Sequence, residues 1–268
     1  MIEIQYASDL HIDVFPNNTS FPTFLQPLSP ILVLAGDIAS AWNPIYKDFL
    51  EWCSNQWEHV IVITGNHEYY CNDGLIHTLE QTDNHIRDIC NKLNNVIFLQ
   101  GGQSYMYKTI RFVGATLWSD IDPSIWENIS TKGDFAMTYV TSQNRVRKTQ
   151  PSDICALHSL HRSNIASALV SHIPNEKIIV ITHHMPSMEL LQTQYRTHPR
   201  KTCYASSDED LFVPSIMGWI CGHGHRATIQ KLPKGPVLFM NARGYNIDRD
   251  LQRDVDVYDP VAHFFLNV

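Results

Sequence analysis

No run of about 18 apolar residues, the length a helix needs to cross a bilayer, occurs anywhere in the sequence. The strand-like segment from Ile2 to Ala7 has neither a basic flank nor a signal-type apolar region before it. The expectation is a soluble, unexported, cytoplasmic chain with no membrane partner. An excess of positive charge is missing too, since 20 Lys and Arg stand against 27 Asp and Glu for a formal charge of −7. That balance gives no general electrostatic footprint for nucleic acid, so such a partner is not expected unless basic residues gather locally. The six cysteines, Cys53, Cys71, Cys90, Cys155, Cys203 and Cys221, show no CxxC pairing. At 268 residues and 44% apolar, the chain is long enough to stabilise itself by core burial, and reduced, buried or half-buried thiols are expected. Repeats and low-complexity tracts are absent, and residues 1–268 read as one domain.

What the sequence does contain is five short clusters in series: Asp9-Leu10-His11, Gly36-Asp37, Gly65-Asn66-His67-Glu68, His183-His184-Met185-Pro186 and Gly222-His223-Gly224-His225. Each follows a short apolar run rich in β-branched residues, namely Ile2–Ala7, Ile31–Ala35, Val60–Thr64, Lys177–Thr182 and Trp219–Cys221. Runs of this kind are expected of strands covered on both faces. Between them lie helical patterns. Asn43-Pro44 reads as an N-cap and first helical residue, with Ile45, Phe49 and Trp52 at helical spacing. An apolar stripe from Leu75 to Leu93, interrupted around Thr82-Asp83, predicts a second helix, and Ser152 to Ser171 a third. Hairpin-like runs, Tyr105–Tyr107 with Ile110–Leu117, Ala227–Lys231 with Val237–Asn241 and Val255–Tyr258 with His263–Leu266, predict antiparallel strands in a second sheet. The fold expected is α/β, a four-layer αββα sandwich of two mixed sheets flanked by helices, with all five clusters along one edge.

Imidazoles, carboxylates and an amide oxygen together suit first-row divalent ions such as Mn, Fe, Co or Zn better than Mg or Ca. Asp37 is the natural bridge between two such ions. Two anionic ligands against two divalent cations leave the inner shell with roughly two positive charges, enough to attract a phosphate even on an acidic protein. The clusters resemble the pattern DxH, GDx, GNH(D/E), (G/x)HxP and GHxH of the calcineurin-like metallophosphoesterase superfamily, over the whole length of the chain. That resemblance implies that Asp9, His11 and His225 hold one metal and that Asn66, His183 and His223 hold the other, with Asp37 shared. It makes His67 the acid near the leaving-group oxygen, a role imidazole suits because it exchanges protons near neutral pH. In the fourth cluster Thr182 stands where many members carry Gly, and the doubled histidine is read with His183 as ligand and His184 as a substrate contact or packed neighbour. Ser40 occupies the place where the purple acid phosphatase branch has its metal-binding tyrosine, which excludes that branch.

His158 and His161 lie three apart on the third predicted helix without a third ligand, and read as a solvated or half-buried helix face. Glu68 reads as an acidic residue beginning a helix, favoured there by the helix dipole. Arg243, in the loop Asn241–Tyr245 after a strand, is a candidate phosphate contact. Substrate choice is expected in the segments 118–150 and 185–210, where Trp118, Trp126, Tyr139, Arg145, Arg147, Lys148, Tyr195, Arg196, His198, Arg200, Lys201 and Tyr204 interleave cations with aromatic faces. The activity expected is hydrolysis of a small phosphomonoester or phosphodiester by attack of a metal-bound hydroxide. Two alternatives remain open: a nuclease, and a scaffold that keeps the fold without the chemistry.

Overall fold

The computed structural model describes residues 1–268 with the exception of 17, 72–73, 172, 174, 234, 246–256 and 267–268. In chain order the first half runs β1 (Ile2–Ala7), β2 (Ile31–Ala35), α1 (Pro44–Gln56), β3 (His59–Ile63), α2 (Leu79–Cys90), β4 (Val96–Phe98), β5 (Gln103–Tyr107) and β6 (Ile110–Ala115). The segment that follows holds α3 (Trp126–Ile129), α4 (Asp134–Met137) and the hairpin β7 (Tyr139–Ser142) and β8 (Arg145–Lys148). The second half runs α5 (Pro151–Val170), β9 (Lys177–Thr182), β10 (Ile216–Cys221), β11 (Ala227–Lys231), β12 (Val237–Asn241) and β13 (His263–Leu266).

Two large sheets result, one ordered β13-β1-β2-β3-β4 and the other β11-β12-β10-β9-β6-β5. β1 to β4 pair in parallel, as do β6, β9, β10 and β12, while β13, β11 and β5 add antiparallel strands. Side-chain alternation explains why the motif-bearing strands are apolar throughout. Ile31, Val33 and Ala35 join Ile4, Tyr6, Ile61 and Ile63 against Phe112, Ile179, Ile181, Ile220 and Phe239, filling the space between the sheets. Leu32, Leu34, Val60 and Val62 instead pack beneath Phe49, Leu50, Ile86 and Ile89 of α1 and α2. On the far side Val113, Ile178, Val180 and Trp219 pack beneath Ile165 and Leu169 of α5. Each buried Leu, Ile or Val contributes about 1.5–3 kcal/mol, so both faces of both sheets stabilise the fold. The four-layer expectation is met, and the C-terminal ends of β1, β2, β3, β9 and β10 share one edge. A bridge between Ser8 and Ala242 ties the two sheets together beside Asp9.

Several local expectations differ from what forms. α2 starts at Leu79 because Thr78 and Gln81 make a capping box, while Leu75 and Ile76 stay outside it, exposed. Thr82 and Asp83 do not interrupt the helix: Thr82 accepts from Trp42 Nε1 (3.1 Å) and Asp83 from the Tyr69 hydroxyl (2.7 Å), so both polar side chains are satisfied inside it. β13 pairs with β1 in the first sheet instead of forming a hairpin in the second, and of its expected partner run, residues 255–256 lie outside the described residues. The β7–β8 hairpin was not foreseen. Among the described residues no disulfide joins the cysteines, and Cys53, Cys90 and Cys221 are buried. Among the described residues no helix is long and apolar enough to cross a membrane.

Candidate metal centre and cleft

At the shared edge the backbone turns sharply after each strand, and five of the seven expected ligands, Asp9, His11, Asp37, His223 and His225, hold φ between 45° and 64°. Non-glycine residues adopt that left-handed region rarely and at a cost of about 1–3 kcal/mol each, so their clustering marks strain held at a functional edge. The glycines beside them admit close approach. A Cβ on Gly36, whose φ is +83°, would stand 2.3 Å from Gly65 N, and one on Gly65 would stand 2.1 Å from Asp37 Oδ1. Only glycine at both positions lets the second and third clusters touch.

The structure brings all seven expected ligands together. Asp37 Oδ2 stands 3.4 Å from His183 Nε2 and 3.8 Å from His11 Nε2. His183 Nε2 is 3.2 Å from both Asn66 Oδ1 and His223 Nδ1. On the other side of Asp37, His225 Nε2 lies 3.2 Å from His11 Nε2 and 3.4 Å from Asp9 Oδ1. His183 Nδ1 donates to the Ala35 carbonyl (2.8 Å), which aims Nε2 into the cluster. Asp9 accepts the His223 backbone N–H through both oxygens (3.1 and 3.0 Å).

Burial and charge act against each other within the cluster. Burial alone would raise the Asp37 carboxyl, but the imidazoles of His183 and His67 outweigh it and hold the group well below the usual carboxylate range. Burial would also lower His183, yet the Asp37 and Asp9 carboxylates hold it up, at about 9. At His11 and His223 burial, helped by neighbouring imidazoles, outweighs the Asp37 and Asp9 charges and pushes both groups down to about 3, so each stays neutral and presents a ring lone pair. Among the described residues, the buried atoms Asp37 Oδ2 and His11 Nδ1 have no hydrogen-bond partner. Atoms bound about 2.0–2.2 Å from one divalent ion stand about 3.0–3.5 Å apart, which is the spacing of these nitrogens and oxygens. Their chemistry and spacing fit divalent-ion binding: ligand atoms of Asp9, His11 and His225, and those of Asp9, Asp37, His183 and His223, lie within 4.8 Å of one another in each set.

His67 projects beside this cluster, one quarter exposed, with Nε2 4.0 Å from Asp37 Oδ2. Its backbone N–H donates to Asp37 Oδ1 (2.8 Å), which fixes its position relative to the Asp37 carboxylate. Tyr245 was missed as a site residue: its ring stacks on His11 (centroids 4.4 Å apart) and its hydroxyl lies 3.1 Å from His67 Nε2. Its place just past β12, on the edge that carries the other clusters, was the available signal. Asp134 was missed as well. Its Oδ1 accepts from Asn66 Nδ2 (2.9 Å) and from the Tyr70 hydroxyl (2.5 Å), turning the Asn66 carbonyl oxygen toward His183. Replacing Asp134 with alanine is expected to weaken divalent-metal binding on the Asn66 side about 10- to 100-fold, with Asp134→Asn restoring part of it because its oxygen still accepts. Calorimetric titration with Mn would check this, and equal affinity in both variants would remove Asp134 from that role.

Four sequence readings need correction. His184 does not line the cleft: it is 1% exposed and packed between Trp118 and His223, with its ring 4.3 Å from that of His223. Arg243 is 4% exposed, and its guanidinium sits over Phe15 (4.1 Å) and Phe24 (5.0 Å), cation–π contacts that turn it away from a phosphate. Glu68 is fully buried in a short 3-10 turn and accepts backbone N–H groups of Asp37 (3.0 Å), Ile38 (2.8 Å) and Gly65 (2.8 Å), so it clamps two ligand-bearing turns and caps no dipole. Burial and the Asp37 charge push its carboxyl up to about 8, against those donors. His158 and His161 are also buried, not solvated, and His158 Nε2 faces Asp208 Oδ1 at 3.4 Å.

The cluster opens into a cleft of about 840 Å³. From the second expected segment Tyr195, His198, Arg200, Lys201 and Tyr204 line it, whereas Arg196 is paired with Glu189. From the first segment the lining comes instead from Ile129 and Lys132 to Phe135, since Trp118 is buried and Arg147 is paired with Asp153.

Known proteins share this fold. A fold comparison finds the crystal structure of phosphopantetheinyl hydrolase from Mycobacterium tuberculosis similar at a TM-score of 0.68, covering 94% of this chain and 93% of that one at 16% identity, a likeness of fold. The uncharacterized protein L509 of Acanthamoeba polyphaga mimivirus is 25% identical over 266 residues, 92% of each chain. Residues 6–227, from near the end of β1 to the start of β11 and with every motif between, match the family described as calcineurin-like phosphoesterase. With that match over most of its length, the chain belongs to the calcineurin-like phosphoesterase family.

Proposed function

We propose that this protein hydrolyses a small phosphomonoester or phosphodiester at a centre of two divalent cations, with residues 1–268 acting as one catalytic unit. The observation that carries the reading is Asp37 Oδ2, a buried carboxylate oxygen without a hydrogen-bond partner among the described residues, set between imidazoles of both ligand groups. Asp9, His11 and His225 would hold one ion, Asn66, His183 and His223 the other, and Asp37 both. Such a pair supplies a water of lowered pKa and positive charge against the phosphate oxygens.

The chain's own groups do the rest. The Glu68 clamp and the Asp134 contact hold Asp37 and Asn66 in register before substrate arrives, so little reorganisation is left for the reaction. His67, partly exposed to the cleft and fixed through its backbone to Asp37, is placed to give a proton to the departing oxygen. The Tyr245 hydroxyl, 3.1 Å from His67 Nε2, restrains that ring. His67→Ala is expected to keep its metal content and lose about 10²–10⁴-fold in turnover, most for poor leaving groups because those need the proton. Elemental analysis with kcat measured over aryl phosphates of graded leaving-group pKa checks it, and an equal loss across the series would take His67 out of that role.

Hydrolysis of p-nitrophenyl phosphate and of its bis ester with added Mn, compared with Asp37→Ala, tests the reading as a whole. No rate on either ester would favour the scaffold alternative. A nuclease would instead cleave oligonucleotides with an affinity falling steeply with salt.

A further inference from the structure

The cleft beyond the ligand cluster is unbalanced in charge. Lys132, from the turn between α3 and α4, and His198, Arg200 and Lys201, from the loop after β9, line the same cavity as Asp37 and His67. Among the described residues the two carboxylates lining it are already engaged, Asp37 with His183 and His11 and Asp134 with Asn66 and Tyr70. Among the described residues Lys132, Arg200 and Lys201 form no ion pair, although their neighbour Arg196 does, with Glu189. Asp122 senses the Lys201 charge without pairing with it. On a chain of formal charge −7, cations that share one cleft and form no ion pair among the described residues raise the local concentration of anions there.

Aromatic faces lie between this rim and the metal ligands. The Tyr204 ring stands 5.1 Å from that of His223, and Tyr195, half exposed, lines the same wall. The Tyr204 N–H donates to the Lys201 carbonyl (3.1 Å), so Lys201 begins one 3-10 turn away. That turn is about 6 Å of rise at about 2 Å per residue. A bare phosphate fills little of this cavity.

We infer that the cleft takes a small phosphoester carrying a second anionic group, with the scissile phosphate at the ligand cluster, the second phosphate or carboxylate at Lys132, Arg200 and Lys201, and a flat body against Tyr195 and Tyr204. The inference rests on the proposed metal-dependent hydrolysis and names its substrate class. Phosphate release from adenosine 3′,5′-bisphosphate, adenosine 5′-monophosphate and p-nitrophenyl phosphate by the Mn-loaded full chain tests it. The bisphosphate is expected to exceed the monophosphate about tenfold or more in kcat/KM, chiefly through a lower KM, because a charge-assisted contact is worth about that factor. Lys132→Gln and Lys201→Gln, both at side chains reached by solvent, are expected to move that ratio toward one while metal content stays at the wild-type level. Equal kcat/KM for the two nucleotides in the wild type, or a ratio that neither substitution moves, overturns the second-anion site while p-nitrophenyl phosphate hydrolysis leaves the phosphoesterase reading standing. Hydrolysis of none of the three by metal-loaded protein overturns both.

Discussion

Asp37→Ala is expected to leave the protein unable to hold two divalent ions and to lower p-nitrophenyl phosphate hydrolysis at least about 10³-fold, because several kcal/mol of charge stabilisation depend on the cation pair. The reasoning is local. Asp37 Oδ2 faces His183 at 3.4 Å and His11 at 3.8 Å, one from each ligand group, so its loss breaks both sets together. Oδ1 meanwhile accepts the His67 N–H at 2.8 Å, and the alanine variant also releases the turn that carries the proposed acid. Asp37→Asn separates these effects: it keeps an acceptor for His67 but removes the charge that cations share, so it should fold like the wild type yet load poorly. Elemental analysis and thermal melting of both variants would show this. Two metals per chain in Asp37→Ala would contradict the shared-ligand role.

Glu68→Ala is expected to act through the backbone. It strips the acceptor from three buried N–H groups, those of Asp37, Ile38 and Gly65. Leaving each unsatisfied costs about 1–3 kcal/mol, so a loss of at least about 3 kcal/mol follows. For a chain of this size that is on the order of 10 °C in Tm. Glu68→Gln retains one oxygen but turns an amide NH2 toward N–H donors, and should melt between the two. A melting curve that matches the wild type for Glu68→Ala would show that the clamp contributes nothing.

The parts of this site that could be read from sequence share a physical property: each expected ligand lies within five residues of the end of a strand buried on both faces. A continuous β-branched run such as Ile31–Ala35 announces the strand, and the cluster after it announces the chemistry. The parts that could not be read depend on groups meeting across long sequence separations. Asp134 reaches Asn66 from 68 residues away and Tyr245 reaches His67 from 178, and no periodicity or motif encodes either meeting. Arg243 misled for the same reason, since the rings that draw it away, Phe15 and Phe24, belong to the opposite end of the chain. His184 follows a ligand directly, and only packing against Trp118 and His223 shows that it faces inward. β13 was assigned to the wrong sheet because an antiparallel strand carries no mark of which edge it joins.

Anomalous diffraction from crystals grown with Mn tests the central proposal most directly. Two manganese peaks about 3.5–4 Å apart are expected, as in two-metal hydrolytic centres, with Asp37 touching both, Asp9, His11 and His225 around one, and Asn66, His183 and His223 around the other. A single peak, or two peaks that Asp37 does not join, would contradict it.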